Sequence, residues 1–121
     1  MALRIETITV DSEDPVSLAR FRSEALGWEW REDDDGDVWV EPGQDHPDRG
    51  SVRPLLFVEV PESKAVKNRL HLDLAPDDQA AEVERLRELG ASPVSVGQDG
   101  YEAWVVLADP EGNEFCVLGS P

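Results

Sequence analysis

The chain has 121 residues, with 27 Asp and Glu against 11 Lys and Arg, which gives a formal net charge of -16. This length suits one domain, and the only cysteine, Cys116, excludes a disulfide within the chain. So negative a chain repels phosphate backbones, and we expect no nucleic-acid partner. No apolar run is long enough for a membrane span, and residues 1–10 lack the apolar core of a signal peptide, so we expect a cytoplasmic protein without a membrane partner.

The first half of the chain predicts a strand, a helix and three more strands. Residues 3–10 are rich in Ile, Thr and Val and fit a strand. The helix is expected to begin after the N-cap Asp14 and to end before Gly27. Strands are then expected at 28–31, 38–41 and 54–60, with a hairpin turn at 33–36.

The second half of the chain repeats this order. Residues 69–75 alternate between apolar and polar and predict a strand, and a helix follows between Asp77 or Asp78 and Gly90. The buried residues expected on this helix are Ala80, Val83, Leu86 and Leu89. The last strands are expected at 92–96, 101–108 and 114–118. The repetition predicts a single α+β domain, residues 1–121, built from two βαβββ modules (1–60 and 69–121) and a linker at 61–68.

Alternation along the strands predicts which side chains face away from the helices. In the strand at 69–75 the leucines Leu70, Leu72 and Leu74 are expected under the helix, which leaves His71 and Asp73 on the other face. In the last strand Phe115 and Val117 are expected in the core, with Glu114, Cys116 and Leu118 opposite.

If two such modules lie side by side with their helices outside, these polar faces converge on one pocket. The residues expected to line it are Thr7, Trp39, Glu59, His71, Asp73, Trp104 and Cys116. A sheet face washed by solvent would show the same pattern, so alternation alone leaves both interpretations open.

Four features together resemble the superfamily of glyoxalases, bleomycin-resistance proteins and extradiol dioxygenases, also called vicinal oxygen chelate. They are the duplicated βαβββ order, the Leu-Gly helix ends, "HLDL" at 71–74 and "DPEGNEF" at 109–115. The segment "KNRLHLDL" at 67–74 is similar to small glyoxalase-like domains. The resemblance implies a cupped eight-stranded mixed sheet with the helices outside, a pocket for a small-molecule ligand, and a homodimer.

Many members of this superfamily hold a divalent metal through the first and last strands of each module. The corresponding positions here are Thr7, Val58 (or Glu59 after a one-residue slip), His71 and Cys116. Threonine is no usual ligand, and Glu114 lies two residues before the last position. We therefore expect no metal cofactor and no stoichiometric metal in the purified protein. The alternative is a mixed imidazole–thiolate site for an ion such as zinc, with Asp73 or Glu59 as third ligand.

Two functions follow from the resemblance, and the sequence leaves open whether the chain is an enzyme. The first is a lyase-, isomerase- or dioxygenase-type activity at a degenerate metal site, with His71 as general acid or base and Asp73 beside it. The alternative is a metal-independent protein that sequesters a cationic antibiotic, favoured by the acidic charge and by stacking on Trp39 or Trp104. Cys116 has no evident basic neighbour to activate it as a nucleophile.

Overall fold

The computed structural model describes residues 2–95, 97–98, 100 and 102–121. The chain divides into two units, residues 1–63 and 64–121, and the division falls inside the predicted linker at 61–68. Each unit has one helix and one four-stranded mixed sheet. No helix among the described residues is long and apolar enough to cross a bilayer.

The first module has the predicted order of strand, helix and three strands. Its elements are β1 (Ile8–Ser12), α1 (Pro15–Leu26), β2 (Glu29–Glu32), β3 (Val38–Glu41) and β4 (Leu55–Glu59). In the sheet order β1-β4-β3-β2, β1 is parallel to β4 and the other neighbours are antiparallel. The helix α1 buries Leu18 and Phe21 against this sheet.

Local signals fix the ends of α1 and of the β2–β3 hairpin. The side chain of Asp14 accepts a hydrogen bond from the Ser17 amide at 3.2 Å, and Gly27 ends the helix at φ 69°, where glycine is strongly favoured. In the hairpin turn, Asp33 accepts hydrogen bonds from the amides of Asp35 and Asp37. Both predictions, the helix ends and the turn at 33–36, are confirmed.

The second module repeats the topology of the first. Its elements are β5 (Asp73–Leu74), α2 (Gln79–Leu89), β6 (Ser92–Pro93), β7 (Val105–Ala108) and β8 (Glu114–Val117). In the sheet order β5-β8-β7-β6, β5 is parallel to β8 and the other neighbours are antiparallel. The predicted α+β fold of two βαβββ modules is confirmed. Of the two N-cap candidates for α2, the structure selects Asp78, whose side chain accepts a hydrogen bond from the Ala81 amide.

Several strands differ in length from their predictions, because alternation in sequence does not show where backbone pairing begins. β1 starts at Ile8 and runs to Ser12, whereas the prediction was 3–10. The strand predicted at 69–75 pairs only at Asp73 and Leu74. Val96 and Tyr101, at the inner ends of the strands predicted at 92–96 and 101–108, lie outside the described residues.

Two predictions of core residues in the second module were wrong. Leu70 is 72% exposed, because it lies before the paired part of β5 and no neighbouring strand fixes its direction. Ala80 is exposed as well. Leu86 is the buried residue of α2, and Val83 and Leu89 are half-buried. The core of this module instead comes from β7 and β8, through Leu107, Phe115 and Val117.

The turn between β7 and β8 depends on the buried carboxylate of Asp109. Its Oδ1 accepts hydrogen bonds from the amides of Glu111 and Asn113, each at 2.9 Å, and the Asn113 side-chain amide donates to the same carboxylate. Gly112 completes the turn at φ 87°. This turn therefore sets the residue at which β8 begins.

We expect Asp109→Ala to lower the free energy of unfolding by about 2 kcal/mol or more, since it leaves several amide donors without their acceptor in a buried turn. Urea denaturation followed by circular dichroism measures the loss. The exposed Asp77→Ala serves as the control, with an expected change within about 0.5 kcal/mol. Equal stability of the two variants would contradict the structural role of Asp109.

Candidate functional site

A pocket with a volume of about 340 Å³ lies in the second module. Its lining residues are Lys67, His71, Asp73, Trp104, Val106, Glu114, Cys116 and Leu118. Four of the residues predicted to line a site are therefore brought together: His71, Asp73, Trp104 and Cys116.

Strand register places the polar residues of the pocket on one face of the sheet. Asp73 of β5 is the Cα partner of Cys116 in β8, and Cys116 is in turn the partner of Val106 in β7. The Cys116 amide donates to the Leu72 carbonyl at 2.9 Å, and this hydrogen bond is part of the parallel β5–β8 pair. Phe115 lies next to Cys116 in the strand and is buried in the core, so the predicted alternation of β8 is confirmed.

His71, Asp73 and Cys116 form a tight cluster of three different donor groups. The Nε2 atom of His71 is 3.5 Å from Oδ1 of Asp73, and one donor atom from each of the three residues lies within 4.8 Å of the others. The side chains of His71 and Asp73 are 44% and 52% exposed, whereas Cys116 is buried. The cluster thus combines an imidazole and a carboxylate open to solvent with a buried thiol.

The environment of Cys116 favours the neutral thiol over the thiolate. Burial raises the pKa of Cys116, and Asp73 raises it further through its negative charge and by accepting a hydrogen bond from the thiol. Lys67 acts in the opposite direction, but the pKa remains above its ordinary value. A neutral thiol is a weak nucleophile, so the expectation that Cys116 is not activated agrees with this environment. The reason given for it was wrong, because Lys67 and His71 are basic neighbours of Cys116.

We expect the native protein to react with a thiol reagent at least about tenfold more slowly than the same chain unfolded in urea, because the thiolate is the reacting form. Asp73→Asn removes the negative charge beside the thiol and should accelerate the reaction of the folded protein. Absorbance after mixing with a chromogenic disulfide gives both rates. A native rate equal to the unfolded rate would contradict the described environment of Cys116.

Glu114 lines the pocket, but its carboxylate is already engaged in a structural contact. Its Oε1 lies 2.9 Å from the Nζ atom of Lys64, and its Oε2 accepts the Asn68 amide at 3.0 Å. Asn68 also donates through its side chain to Asn113 in the β7–β8 turn. Burial opposes ionisation, yet the hydrogen bonds and the charge of Lys64 lower the pKa of Glu114 below its ordinary value. This contact fixes the segment before β5 to the start of β8.

We expect Glu114→Gln to lower the free energy of unfolding by about 1–3 kcal/mol at pH 7, because it removes a charge-assisted hydrogen bond and leaves Lys64 without its partner. Since the folded pKa is lowered, the contribution of the carboxylate is complete above the unfolded pKa of about 4.3 and is lost as the pH falls through the folded value. Denaturant curves of the wild-type protein and of Glu114→Gln at several pH values measure this contribution to the free energy of unfolding.

The difference between the wild-type protein and Glu114→Gln should therefore shrink in acid. The exposed Glu88→Gln on α2 is the matched control, with an expected change within about 0.5 kcal/mol at every pH. A difference for Glu114→Gln that stays constant down to pH 3 would contradict the assigned carboxylate contact.

The other three predicted site residues, Thr7, Trp39 and Glu59, belong to the first module. The Trp39 indole donates to Oδ2 of Asp33 at 2.8 Å, and this hydrogen bond is the main cause that lowers the pKa of Asp33. Thr7 precedes β1 and is half-buried, and Glu59 is exposed at the end of β4. Their participation in ligand binding stays a prediction.

Sequence reasoning missed two lining residues and one supporting pair. Val106 lies two residues after Trp104 and therefore faces the same side of the sheet, so alternation along this strand could have predicted it. Lys67 lies in the linker, where no periodic pattern indicates a direction. The Lys64–Glu114 pair joins residues 50 positions apart, and no local pattern predicts such a contact.

A family model described as "Glyoxalase-like domain" matches residues 7–118 of the chain. The chain belongs to this family. The glyoxalase-like assignment confirms the resemblance to the vicinal oxygen chelate superfamily. A search of curated proteins gives no match to this chain.

Solved structures of glyoxalase-like proteins share the fold of this chain over nearly its whole length. A glyoxalase/bleomycin resistance protein/dioxygenase family enzyme from Burkholderia phytofirmans PsJN is 18% identical with a TM-score of 0.68, covering 96% of this chain and 98% of its own. An antibiotic binding protein from Streptomyces sp. CB03234 is 21% identical with a TM-score of 0.65, covering 100% and 99%. A fosfomycin resistance protein from Mesorhizobium loti is 14% identical with a TM-score of 0.69, covering 100% and 94%.

Proposed function

We propose that this glyoxalase-like protein binds a small organic molecule in the pocket of its second module. The observation that carries the proposal is the composition of that pocket, which is about 340 Å³ in volume and is lined by both apolar and polar side chains. Trp104, Val106 and Leu118 provide apolar surface, while His71 and Asp73 provide polar groups. Pockets that bind small molecules combine such apolar walls with a few polar groups that orient the ligand.

Trp104 supports this proposal because its large ring is not used by the core. The residue is 46% exposed and lies directly before β7, on the rim of the pocket. An exposed indole offers a flat surface for stacking with an aromatic ring or a cation. We therefore expect the bound molecule to contain a planar or cationic group that covers Trp104.

The solved structures support ligand binding as the general function. One of them is an antibiotic binding protein, and another confers resistance to fosfomycin. With identities of 21% and 14%, these proteins share the fold with this chain, and the ligand has to be found by experiment. The homodimer and the cytoplasmic location expected above stay predictions.

If the bound molecule is turned over, we assign proton transfer to His71. Its imidazole is open to the pocket, and Asp73 at 3.5 Å is placed to orient the ring. Imidazole exchanges protons readily near neutral pH, which suits a general acid or base. Isomerase- or lyase-type proton transfer is the chemistry that these two side chains supply.

The second candidate function is the sequestration of a cationic antibiotic without chemistry. The net charge of -16 attracts cations over a distance. Within the pocket, Glu114 is paired with Lys64, so Asp73 is the carboxylate placed to meet a positive group beside Trp104. Lys67 lines the same pocket and opposes such a ligand.

A titration with dicarbonyl compounds, catechols and cationic antibiotics, in the presence of a metal chelator, tests the proposed pocket. Isothermal titration calorimetry measures binding, because it does not depend on the fluorescence of Trp104. Trp104→Ala should raise the dissociation constant of a binding compound at least about tenfold, since aromatic anchors contribute strongly to affinity. The matched control is Trp30→Phe, because Trp30 is also exposed but lies in the first module. Equal affinity in both variants, or no binding by any compound, would contradict the proposal.

The same compounds separate the two candidate functions. For a sequestered cation, added salt and Asp73→Asn should both weaken binding, and the compound should be recovered unchanged. For an enzyme, the compound is consumed, and His71→Ala should abolish turnover while the dissociation constant changes little. Turnover that survives in His71→Ala would contradict the role of this residue.

A further inference from the structure

We infer that the ligand of the second-module pocket is zwitterionic, with an aromatic ring on Trp104, a positive group at Asp73 and a negative group at Lys67. Among the described residues, the lining contains a lysine and a carboxylate that are not paired with each other. The inference rests on the proposed function, because it concerns the same pocket, and it adds the pattern of charges that the ligand carries.

Lys67 is a cation of the pocket whose charge is available to a ligand. Lys64 and Lys67 are the two lysines of the chain, and both lie in the segment before β5. Lys64 is bound to Glu114 at 2.9 Å. In the described part of the chain, no carboxylate forms an ion pair with Lys67, whose Nζ atom donates a long hydrogen bond of 3.5 Å to the Asn68 carbonyl. The remaining donors of this ammonium group can bind an anionic group of a ligand.

The segment that carries Lys67 is anchored next to the pocket. Lys64 and Asn68, on either side of Lys67, both bind the Glu114 carboxylate. The side chain of Lys67 itself is exposed and can move toward a ligand. Its charge acts inside the pocket, since it opposes the rise in the pKa of Cys116 that burial and Asp73 cause. The position of Lys67 is therefore determined by the fold, while its ammonium group stays adaptable.

Strand register places the two charges and the indole at different levels along the pocket. Asp73 is the register partner of Cys116 and lies at the middle level. Glu114, two residues before Cys116, marks the end at which the segment of Lys67 is anchored. Trp104 lies two residues before the β7 residue that pairs with Cys116, and β7 is antiparallel to β8, so Trp104 lies toward the opposite end. Each two-residue step is about 6.6 Å, so about 13 Å separates the two ends.

A ligand with one kind of charge does not fit this pattern. A simple cation would meet Asp73 but also Lys67, and like charges repel each other in a partly buried pocket. A simple anion would meet Lys67 but also Asp73, and the net charge of -16 repels it from a distance. A molecule with both groups pairs each charge with its opposite, and such complementarity is what gives a polar site its specificity.

Calorimetric titration of the full-length protein with tryptophan, tryptamine and indole-3-propionate tests the inference. The three compounds share one ring, and at neutral pH tryptophan carries both charges, tryptamine only the positive one and indole-3-propionate only the negative one. Tryptophan also has the order of groups that the pocket requires, with the ring, the amine and the carboxylate in sequence. We expect tryptophan to bind at least about threefold more tightly than either of the other compounds, since a partly exposed ion pair contributes modestly to affinity.

Variants of the two charged residues should affect different compounds. Lys67→Gln should raise the dissociation constants of tryptophan and indole-3-propionate about three- to tenfold, but not that of tryptamine. Asp73→Asn should raise those of tryptophan and tryptamine, but not that of indole-3-propionate. Lys67→Arg keeps the charge and should bind tryptophan as the wild type does. The matched controls Arg87→Gln and Asp77→Asn each remove one exposed charge outside the pocket and should leave all three affinities unchanged.

Equal affinity for tryptophan and tryptamine, an unchanged affinity for tryptophan in Lys67→Gln, or no binding of tryptophan at millimolar concentration would overturn the inference. Circular dichroism verifies the fold of each variant. Trp104→Ala distinguishes this failure from a failure of the proposed function. If a compound of any charge binds to the wild type and loses affinity in Trp104→Ala, the pocket binds a small molecule and only the inferred pattern of charges is wrong.

Discussion

The register of the short parallel pair β5–β8 is the constraint on which the candidate site depends. It places Asp73 opposite Cys116, and the adjoining antiparallel pair places Val106 beside them. A slip of one residue would exchange the two faces of β8 and move Phe115 from the core into the pocket. Burial of Phe115 and Val117 therefore fixes the positions of Asp73 and Cys116, although neither buried residue lines the pocket.

Two carboxylates support this register through hydrogen bonds within the protein. Asp109 shapes the turn that determines where β8 begins, and Glu114, the first residue of β8, binds Lys64 and Asn68 from the segment before β5. The chain leading to His71 is thereby fixed to the strand that carries Cys116. Because Glu114 is occupied in this way, our proposal assigns ligand contact in the pocket to His71 and Asp73.

Features of the fold that depend on residues close together in the sequence were predicted correctly more often than features that depend on distant residues. The helix ends at Asp14, Gly27 and Gly90 were predicted correctly, since capping requires particular residues at particular positions. Alternation correctly placed Cys116 opposite the core, because both neighbours of β8 fix its direction. It was wrong for Leu70, where the same alternation continues beyond the paired strand. The Lys64–Glu114 contact depends on the tertiary fold, which no local pattern contains.

The thiol at position 116 and the carboxylate at position 73 are physically linked. A second carboxylate at position 116 would lie beside Asp73, and two carboxylates at such close range cannot both ionise without a strong rise in the pKa of one of them. A thiol avoids this conflict, because it stays neutral when buried and donates a hydrogen bond to Asp73. The cluster then contains a single carboxylate, that of Asp73, whose side chain is 52% exposed. A cationic group of an organic ligand would meet the Asp73 carboxylate and leave the buried thiol protonated.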